Sequence, residues 1–322
     1  PEQSTQKGQM KSSLLALALI ICAMLITYNS YAFNGSGTQT NPYQITSVSD
    51  LQQLASDVNG GTSYQGYYFI LTSDLDLSSV TNFTSIGTST NPFKGSFDGD
   101  GYIIKHLTIN QTTTDNIGLF GYINSTSSVI KNIAIDSSSI IGRNYVGAIA
   151  GYVRDFDTVA DCYVTNTTVN GTLTTSTGYF GTTNDTYIGG LFGLIVQSHN
   201  GGINYCFAMN NTITGYNYVG GIVGSNYLAG NPYNTNSKID NCYELDNTIT
   251  ASIEVSGWQT KYCGPIGGQI TQWTASQTVS GEASGATNAY YNGSNTYTGT
   301  VVGESKTRAE IIALIMARFT YD

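Results

Sequence analysis

Two pairs of closely spaced aspartates are the side chains of this chain best suited to acid–base chemistry. Asp74 and Asp76 lie two residues apart in an apolar segment, so both project from one face of a predicted strand. Asp98 and Asp100 flank a glycine and are followed by another. Paired carboxylates hydrolyse glycosidic bonds, and carboxylates also bind Ca²⁺. The sequence favours a simpler interpretation, in which the first pair forms a polar strand edge and the second forms a glycine-assisted turn.

Histidine and serine chemistry has little support. His106 and His199 are the two histidines, and each stands without a partner motif, so we expect neither a metal site nor a catalytic triad. The chain contains no Gly-x-Ser-x-Gly motif and no phosphate-binding loop with a lysine. The sequence therefore predicts no catalytic residues, no metal site and no cofactor.

Four of the five cysteines follow a predicted leader that contains Cys22. Cys162, Cys206 and Cys242 occupy one position of successive repeats, and a nucleophile would not be repeated three times. We expect an inward-facing ladder of free, buried thiols. Directly stacked strand residues hold their Cβ atoms ~5 Å apart, which is longer than a disulfide prefers. Cys263 lies in another strand register without an obvious mate, and its redox state stays open.

Loop aromatics are the best candidates for ligand binding. Tyr179 and Phe180 fall in the long loop 171–186, and Trp258 falls in the long loop 251–261. Exposed rings stack on sugar faces or anchor a protein partner. The alternative is that these rings fold back over their own coil. The tyrosines that begin successive repeats are better explained as structural, and they are Tyr145, Tyr187, Tyr218 and Tyr262.

A glycine-bounded apolar strand positions all of these residues. It recurs five times, and its last glycines are Gly121, Gly151, Gly193, Gly224 and Gly268. Each copy is preceded or followed by an apolar triplet at offsets 0, 3 and 10, namely Ile130–Ile133–Ile140, Val159–Cys162–Val169, Ile203–Cys206–Ile213 and Ile239–Cys242–Ile249. A three-residue step does not fit one straight strand, so we predict a bend at the residue before each middle member. These residues are Asn132, Asp161, Tyr205 and Asn241.

The last glycines are separated by 30, 42, 31 and 44 residues. A unit of about 30 residues holds three short strands and three turns, which predicts an all-β, three-sided parallel β-helix, a solenoid of stacked coils. Successive coils lie ~4.8 Å apart. The longer intervals place loops 171–186 and 251–261 at the same corner, two coils and roughly 10 Å apart.

The charge composition argues against a nucleic-acid-binding protein. Charged residues make up 10% of the 322 residues, and the net charge is −9 without a basic cluster, so nucleic acid is not an expected partner.

Residues 1–32 have the features of a leader that includes a signal peptide, with Lys11 before a 13-residue apolar run. Cleavage is predicted after Ala32, and a membrane anchor is the alternative, although it needs ~20 apolar residues.

The remaining chain divides into three parts. Residues 33–65 are predicted to form a strand and a capping helix over Asp50–Asn59, with Ser47 or Ser49 as N-cap. Residues 66–305 form the β-helix. Residues 306–322 contain an amphipathic helix that begins with a Thr-x-x-Glu capping box. This helix either plugs the C-terminal end of the core or leads into a longer protein.

The chain resembles the GLUG-motif proteins, which are exported bacterial proteins with glycine-bounded apolar repeats, from about Gly35 to Glu310. Besides the repeats, the resemblance rests on a Gly-x-Gly-Thr opening at Gly35, on Leu71–Leu77 and on Phe93–Gly101. It implies a right-handed parallel β-helix on a cell surface, often adhesin-like, with no agreed active site. The sequence departs from the family pattern at Ala150, at Pro265 and in the helical tail. These departures put the regularity of the last coil in doubt, but not the resemblance.

These observations lead to one hypothesis and two alternatives. We expect a secreted or cell-surface, adhesin-like and non-catalytic module that binds a host or environmental glycan or a surface protein through loops 171–186 and 251–261. A polysaccharide lyase or hydrolase is one alternative, and a structural spacer of a larger surface protein is the other. No transmembrane segment is expected after signal cleavage. The ligand, the mode of anchoring and the oligomeric state stay open.

Overall fold

Short segments rich in Ile, Val, Thr and Tyr, separated by Asn, Asp and Gly, favour short strands with sharp bends between them. A computed structural model describes residues 33–173, 186–197, 202–228, 238–252, 262–264, 267–271, 286–287, 290–292 and 304–319. These residues are mostly in parallel strands, with few helices, as predicted for an all-β parallel solenoid.

The N-terminal part contains β1 (Tyr43–Ile45), α1 (Val48–Asn59), β2 (Tyr68–Leu71), β3 (Leu75–Asp76), β4 (Ser96–Asp98), β5 (Ile103–Lys105), β6 (Thr108–Gln111) and β7 (Phe120–Asn124). The next two coils contain β8 (Val129–Lys131), β9 (Ala134–Asp136), β10 (Ser139–Gly142), β11 (Val146–Gly147), β12 (Ala150–Arg154), β13 (Thr158–Ala160), β14 (Tyr163–Thr165), β15 (Thr168–Gly171), β16 (Tyr187–Gly189) and β17 (Phe192–Gln197). The last two coils and the C-terminal part contain β18 (Gly202–Asn204), β19 (Phe207–Met209), β20 (Thr212–Gly215), β21 (Tyr218–Gly220), β22 (Val223–Leu228), β23 (Lys238–Asp240), β24 (Tyr243–Leu245), β25 (Thr248–Ala251), β26 (Tyr262–Gly264), β27 (Gly267–Thr271), β28 (Ala286–Thr287), β29 (Tyr290–Asn292), β30 (Glu304–Lys306) and α2 (Arg308–Phe319).

Equivalent strands of successive coils pair in parallel and form five ladders. Ladder 1 has the order β1-β2-β4-β8-β13-β18-β23-β28, and ladder 2 has the order β3-β5-β9-β14-β19-β24-β29-β30. Ladder 3 is β6-β10-β15-β20-β25, ladder 4 is β11-β16-β21-β26, and ladder 5 is β7-β12-β17-β22-β27. Each regular coil therefore carries five short strands, whereas the sequence predicted three.

Residues in the left-handed backbone region explain the additional strand breaks. The predicted bends at Asn132, Asp161, Tyr205 and Asn241 are confirmed, with φ between 49° and 55°. A second left-handed position, which the sequence did not reveal, separates ladder 2 from ladder 3. It is occupied by His106, Ser137, Asn166, Asn210 and Asp246. Asn and Asp tolerate this backbone better than other non-glycine residues, so both bends suit their sequence.

Stacking of the coils builds the core. The three members of every predicted apolar triplet are buried, with exposed fractions of 0 to 7%. Cys162, Cys206 and Cys242 are free and buried at one ladder position, as predicted. Burial first, and then the neighbouring thiols, raise the pKa of Cys206, so this thiol stays protonated and unreactive. The side chain of Cys263 lies outside the described residues.

The N-terminal helix α1 forms as predicted, with Ser47 as its N-cap. The Ser47 hydroxyl accepts from the Asp50 amide at 3.2 Å, and the Asp50 carboxylate accepts from the Ser47 amide at 2.8 Å. Leu51, Leu54 and Val58 are fully buried. Because β1 is the terminal strand of ladder 1, the helix that follows it suits the predicted cap of the apolar core.

The C-terminal helix α2 packs along the side of ladder 2. Ile311 joins a hydrophobic cluster with Phe207, Tyr243 and Leu245. The Arg318 guanidinium donates to both carboxylate oxygens of Asp161, at 2.7 and 2.8 Å, and lies 4.4 Å from the ring centroid of Tyr205. The sequence left open whether this helix plugs the end of the core or leads into a longer protein. Its described contacts are with large apolar side chains on ladder 2.

Residues 1–32, with the predicted leader and Cys22, lie outside the described residues. The helices of the described part of the chain are too short or too polar to span a membrane.

Backbone-to-backbone contact explains why each repeat ends in glycine. The last glycines share one register in ladder 5. A Cβ atom at Gly193 would lie 2.5 Å from the Gly151 carbonyl oxygen and 2.6 Å from the backbone of Tyr145. A Cβ atom at Gly224 would in turn lie 2.5 Å from the Gly193 carbonyl oxygen. The glycines therefore let neighbouring coils approach, as predicted for a structural repeat.

We predict that Gly193→Ala lowers the free energy of unfolding by about 3 kcal/mol, because backbone atoms on the neighbouring coil cannot move aside. Gly101→Ala is the control. Its φ of 81° is unfavourable for alanine, but its Cβ atom would meet nothing within 4 Å, so we expect a loss of about 1 kcal/mol. Urea unfolding followed by circular dichroism measures both. Equal losses for the two variants would contradict the packing explanation.

Candidate binding surface

Both long loops leave the solenoid between ladder 3 and ladder 4. Pairing aligns Gly171 with Gly142 and Ala251 with Gly215, at the end of ladder 3. It also aligns Tyr187, Tyr218 and Tyr262 at the start of ladder 4. The predicted common corner is thus confirmed for the ends of both loops. Tyr179, Phe180 and Trp258 lie outside the described residues, and their role in binding stays a prediction.

Buried polar side chains hold the end of the first loop in place. The Asn217 side-chain oxygen accepts from the Thr186 amide and from the Thr186 hydroxyl, both at 2.7 Å. The Thr186 hydroxyl accepts from the Asn217 amide at 3.0 Å. One coil earlier, the Asn144 side-chain oxygen accepts from the amides of Tyr145 and Tyr187, at 2.7 and 2.9 Å. These hydrogen bonds therefore fix the C-terminal end of the loop 171–186 to the solenoid.

Tyrosine rings stack directly beside this corner. Tyr145, Tyr187 and Tyr218 form a column with ring centroids 5.6 and 5.0 Å apart and nearly parallel planes. Tyr122 and Tyr152 form a second stack at 4.6 Å, and Tyr152 meets Tyr145 edge to face at 5.6 Å. All five rings are partly buried. We call these five residues the tyrosine face, and it follows the solenoid axis from coil to coil.

Burial keeps one member of the tyrosine face, Tyr152, protonated at physiological pH. Burial first, and then the neighbouring Tyr122, raise the pKa of Tyr152 above its ordinary value. Since the ordinary value is already about 10, this hydroxyl remains protonated and can donate a hydrogen bond. Stacked rings hide their faces from solvent and present their edges. This surface therefore presents the edges of stacked aromatic rings at regular intervals.

Asp74 and Asp76, singled out for acid–base chemistry, contact basic side chains of the next coil. The Lys105 ammonium lies 3.8 Å from the Asp74 carboxylate, and His106 Nδ1 lies 2.8 Å from Asp76 Oδ1. Asp74 also accepts from the Ile103 amide at 2.9 Å. The sequence identified the carboxylates but left His106 without a partner. The missed signal is the interval of 30 residues between Asp76 and His106, which is one coil.

The direction of the pKa shifts disfavours acid catalysis by Asp76 and by Asp136. The hydrogen bond with His106, followed by the one from the Ser78 amide, lowers the pKa of Asp76 to about 2. Burial acts against the shift at Asp136, but hydrogen bonds from Thr165, Asn166 and Ser137 nevertheless lower its pKa. A general acid in a glycosidase needs a raised pKa. Both carboxylates are instead held ionised.

The second aspartate pair forms the predicted turn. The Asp98 carboxylate accepts from the Asp100 amide at 2.9 Å, and Asp100 and Gly101 have φ values of 49° and 81°. Asp98 also accepts from the side chain of Asn132 at 2.8 Å. Within the described part of the chain, no three His, Cys, Asp or Glu side chains come together as metal ligands would. His199 lies outside that part.

No protein-family model matches this chain. Over 172 residues, which are 50% of the chain, it is 33% identical to halomucin of Haloquadratum walsbyi, and the match covers 2% of that protein. Over 153 residues, or 42% of the chain, it is 29% identical to a protein provisionally named a Gly-rich membrane protein from Evansella cellulosilytica, of which 17% is matched. The chain thus corresponds to a small part of each relative.

A solved structure supports the fold. A chain from Bacteroides ovatus, provisionally named an immunoglobulin A1 protease, aligns over 88% of this chain and 89% of its own length, with a TM-score of 0.59. The two chains are 20% identical. At this identity the likeness concerns the fold alone, and the name of that protein carries no chemistry over to this one.

We predict that Asn217→Ala destabilises the corner. It leaves the buried amide and hydroxyl of Thr186 without their shared acceptor, so the free energy of unfolding should fall by about 2 kcal/mol. Amide hydrogen exchange at Thr186 should also accelerate relative to ladder residues. Asn82→Ala is the matched control, because the exposed Asn82 side chain likewise accepts from a backbone amide, that of Asn110 at 2.9 Å. We expect a loss of about 0.5 kcal/mol there. A smaller loss at Asn217 than at Asn82 would refute the anchoring role.

We predict that Asp76 titrates with a midpoint near pH 2, and that His106→Gly moves this pKa up towards the ordinary value of 3.8. Glycine accepts the φ of 56° at this position, so the turn is kept. Because the folded-state pKa is lowered, the interaction favours the folded state above about pH 4 and is lost as pH falls towards 2. Carboxyl ¹³C NMR titration measures the shift, with Asp74→Asn as control. An unchanged midpoint in His106→Gly would contradict the assigned cause.

Proposed function

We propose that this chain is an adhesin-like surface module of the GLUG-motif type, which binds a glycan or a surface protein without catalysis. In this proposal the five ladders group into the three sides of a right-handed β-helix. The chain is exported by its leader, cleaved after Ala32, and acts as a secreted or cell-surface protein. The similarity to part of a protein named as a membrane protein supports a surface location.

The observation that carries the proposal is the common corner of the two long loops. Both loops begin where ladder 3 ends and return at a tyrosine that begins a strand of ladder 4, namely Tyr187 or Tyr262. Loops on a rigid scaffold are the usual place for binding residues. The tyrosine face continues this corner with partly buried, stacked aromatic rings, and aromatic edges suit polyhydroxylated or protein ligands.

The lowered pKa values of Asp76 and Asp136 make these two carboxylates unsuited to the general-acid step of a hydrolase. A structural spacer is the second candidate function. It is favoured by the match to halomucin, in which the matched stretch is 2% of the whole protein. A module of this kind, repeated or embedded in a far longer chain, would hold other segments at a distance.

We predict that a glycan array probed with the purified chain gives a specific hit, and that the double variant Tyr179→Ala, Trp258→Ala loses at least about tenfold in affinity for it. Tyr102→Ala is the control, because Tyr102 is a partly exposed aromatic residue between β4 and β5, far along the chain from both loops. It should bind as the unmodified chain does.

Equal binding by the double variant and the control would contradict binding through the loops. If the array shows no hit, the same three proteins are tested for adhesion to immobilised surface proteins. Failure of both assays would favour the spacer.

A further inference from the structure

A small cleft lies on the outer face of ladder 1, near its N-terminal end. Its volume is about 220 Å³. The floor comes from outward-facing positions of successive strands, and these are Tyr68 and Ile70 of β2, Asp98 of β4, and Val129 and Lys131 of β8. Gln39 and Pro42, from the segment before β1, form one wall. We call this site the N-terminal cleft.

The wall is a preformed turn. The Ser36 amide donates to the Asn41 carbonyl at 3.0 Å, and the Asn41 side chain donates to the Ser36 hydroxyl at 3.1 Å. The Tyr68 amide donates to the Gly37 carbonyl at 2.9 Å and so ties the turn to β2. A Cβ atom at Gly37 would lie 2.5 Å from the rings of Tyr43 and Tyr67, so glycine is needed for this fit. This explains the Gly-x-Gly-Thr opening of the sequence. Because the cleft is already formed, a ligand does not bear the entropy of ordering it.

The cleft combines an apolar floor with one charged edge. Pro42, Tyr68, Ile70 and Val129 supply the apolar part. At the edge, the Lys131 ammonium lies 2.8 Å from Asp98 Oδ2, and the Asp98 carboxylate is fixed by the Asp100 amide and the Asn132 side chain. An ammonium has three donors, and a carboxylate has about four lone-pair positions, so the pair can bind further polar groups. Its opposite charges give the edge no net charge.

This combination defines the chemistry of a ligand. A pyranose ring has an apolar C–H face that packs on aromatic and aliphatic side chains, and neighbouring hydroxyls along its edge. One hydroxyl can donate to the Asp98 carboxylate while the next accepts from Lys131. The volume lies below the roughly 300–1,000 Å³ of sites for drug-sized ligands, which fits a single ring. We propose that the N-terminal cleft binds one terminal pyranose unit of a neutral glycan.

The test uses the full chain and a panel of methyl glycosides of neutral hexoses, with saturation-transfer difference NMR as readout. We expect at least one glycoside to bind, with a Kd in the millimolar range that is usual for a single small ring. Lys131→Gln and Tyr68→Ala should each raise this Kd at least about fivefold.

Lys105→Gln is a matched control for Lys131→Gln. Both lysines are partly exposed and form an ion pair with an aspartate of the preceding coil, but Lys105 lies on ladder 2, outside the cleft. Exposed ion pairs contribute little to stability, so both variants should fold, and thermal unfolding verifies this. Lys105→Gln should bind the glycoside as the unmodified chain does.

Three results would overturn the proposal. They are no saturation transfer from any glycoside, equal weakening by Lys131→Gln and Lys105→Gln, or weakening by Tyr68→Ala alone, which would indicate an apolar peptide side chain as the occupant. The double variant Tyr179→Ala, Trp258→Ala should leave glycoside binding unchanged. This outcome distinguishes binding at the N-terminal cleft from binding at the loop corner. Each of the two proposals can therefore be disproved independently of the other.

Discussion

Residue-for-residue stacking of one coil on the next is the constraint on which the rest of this structure depends. Each strand of a ladder pairs in parallel with the equivalent strand of the coil before and the coil after, at a spacing of ~4.8 Å. Ladder 5 shows how strict this requirement is, because the backbone around Gly193 leaves no room for a single additional carbon atom. Extra residues can therefore enter only at the bends between ladders. The two long insertions meet this condition, because both begin after a strand of ladder 3 and end before a strand of ladder 4.

The same constraint decides where function can reside. An inward-facing residue repeats because the core needs it, as the cysteine column and the apolar triplets do. An outward-facing residue type repeats only where its copies in successive coils stabilise one another by contact. The stacked rings of Tyr145, Tyr187 and Tyr218 are an example. Binding chemistry is thus expected where the repetition stops. The loop corner and the N-terminal cleft are both places of this kind, one made by insertions and the other by the turn before β1.

Local patterns in the sequence predicted the parts of the fold that depend on local chemistry. The bend at Asn132 and its equivalents was predictable because an Asn or Asp before a three-residue apolar step needs left-handed backbone. The bend at Ser137 and its equivalents was not, because no short apolar step spans it: Ile135 and Ile140 lie five residues apart, and the residues between them are polar. The amphipathic pattern predicted α2, but such a pattern does not say which surface covers its apolar side. That surface is the row of Phe207 and Tyr243, which in the sequence resembles any other strand position. The N-terminal cleft needs the turn at Gly37 and the floor at Val129 to meet in space, and no periodicity connects them.

The repeat interval itself would have predicted more contacts than the residue types did. Within the described residues, four polar pairs join an aspartate to a basic residue of the following coil: the ion pairs Asp74–Lys105, Asp98–Lys131 and Asp115–Arg143, and the hydrogen-bonded pair Asp76–His106. In every case the acid comes first along the chain, and the separation is close to the basic unit of about 30 residues. Exposed pairs of this kind each add little to stability. A shift of one residue between coils would, however, separate all of them and also turn apolar side chains outwards. The pairs therefore help to fix the register between successive coils. They also show that a histidine without a nearby partner in the sequence, such as His106, can have one in the adjacent coil.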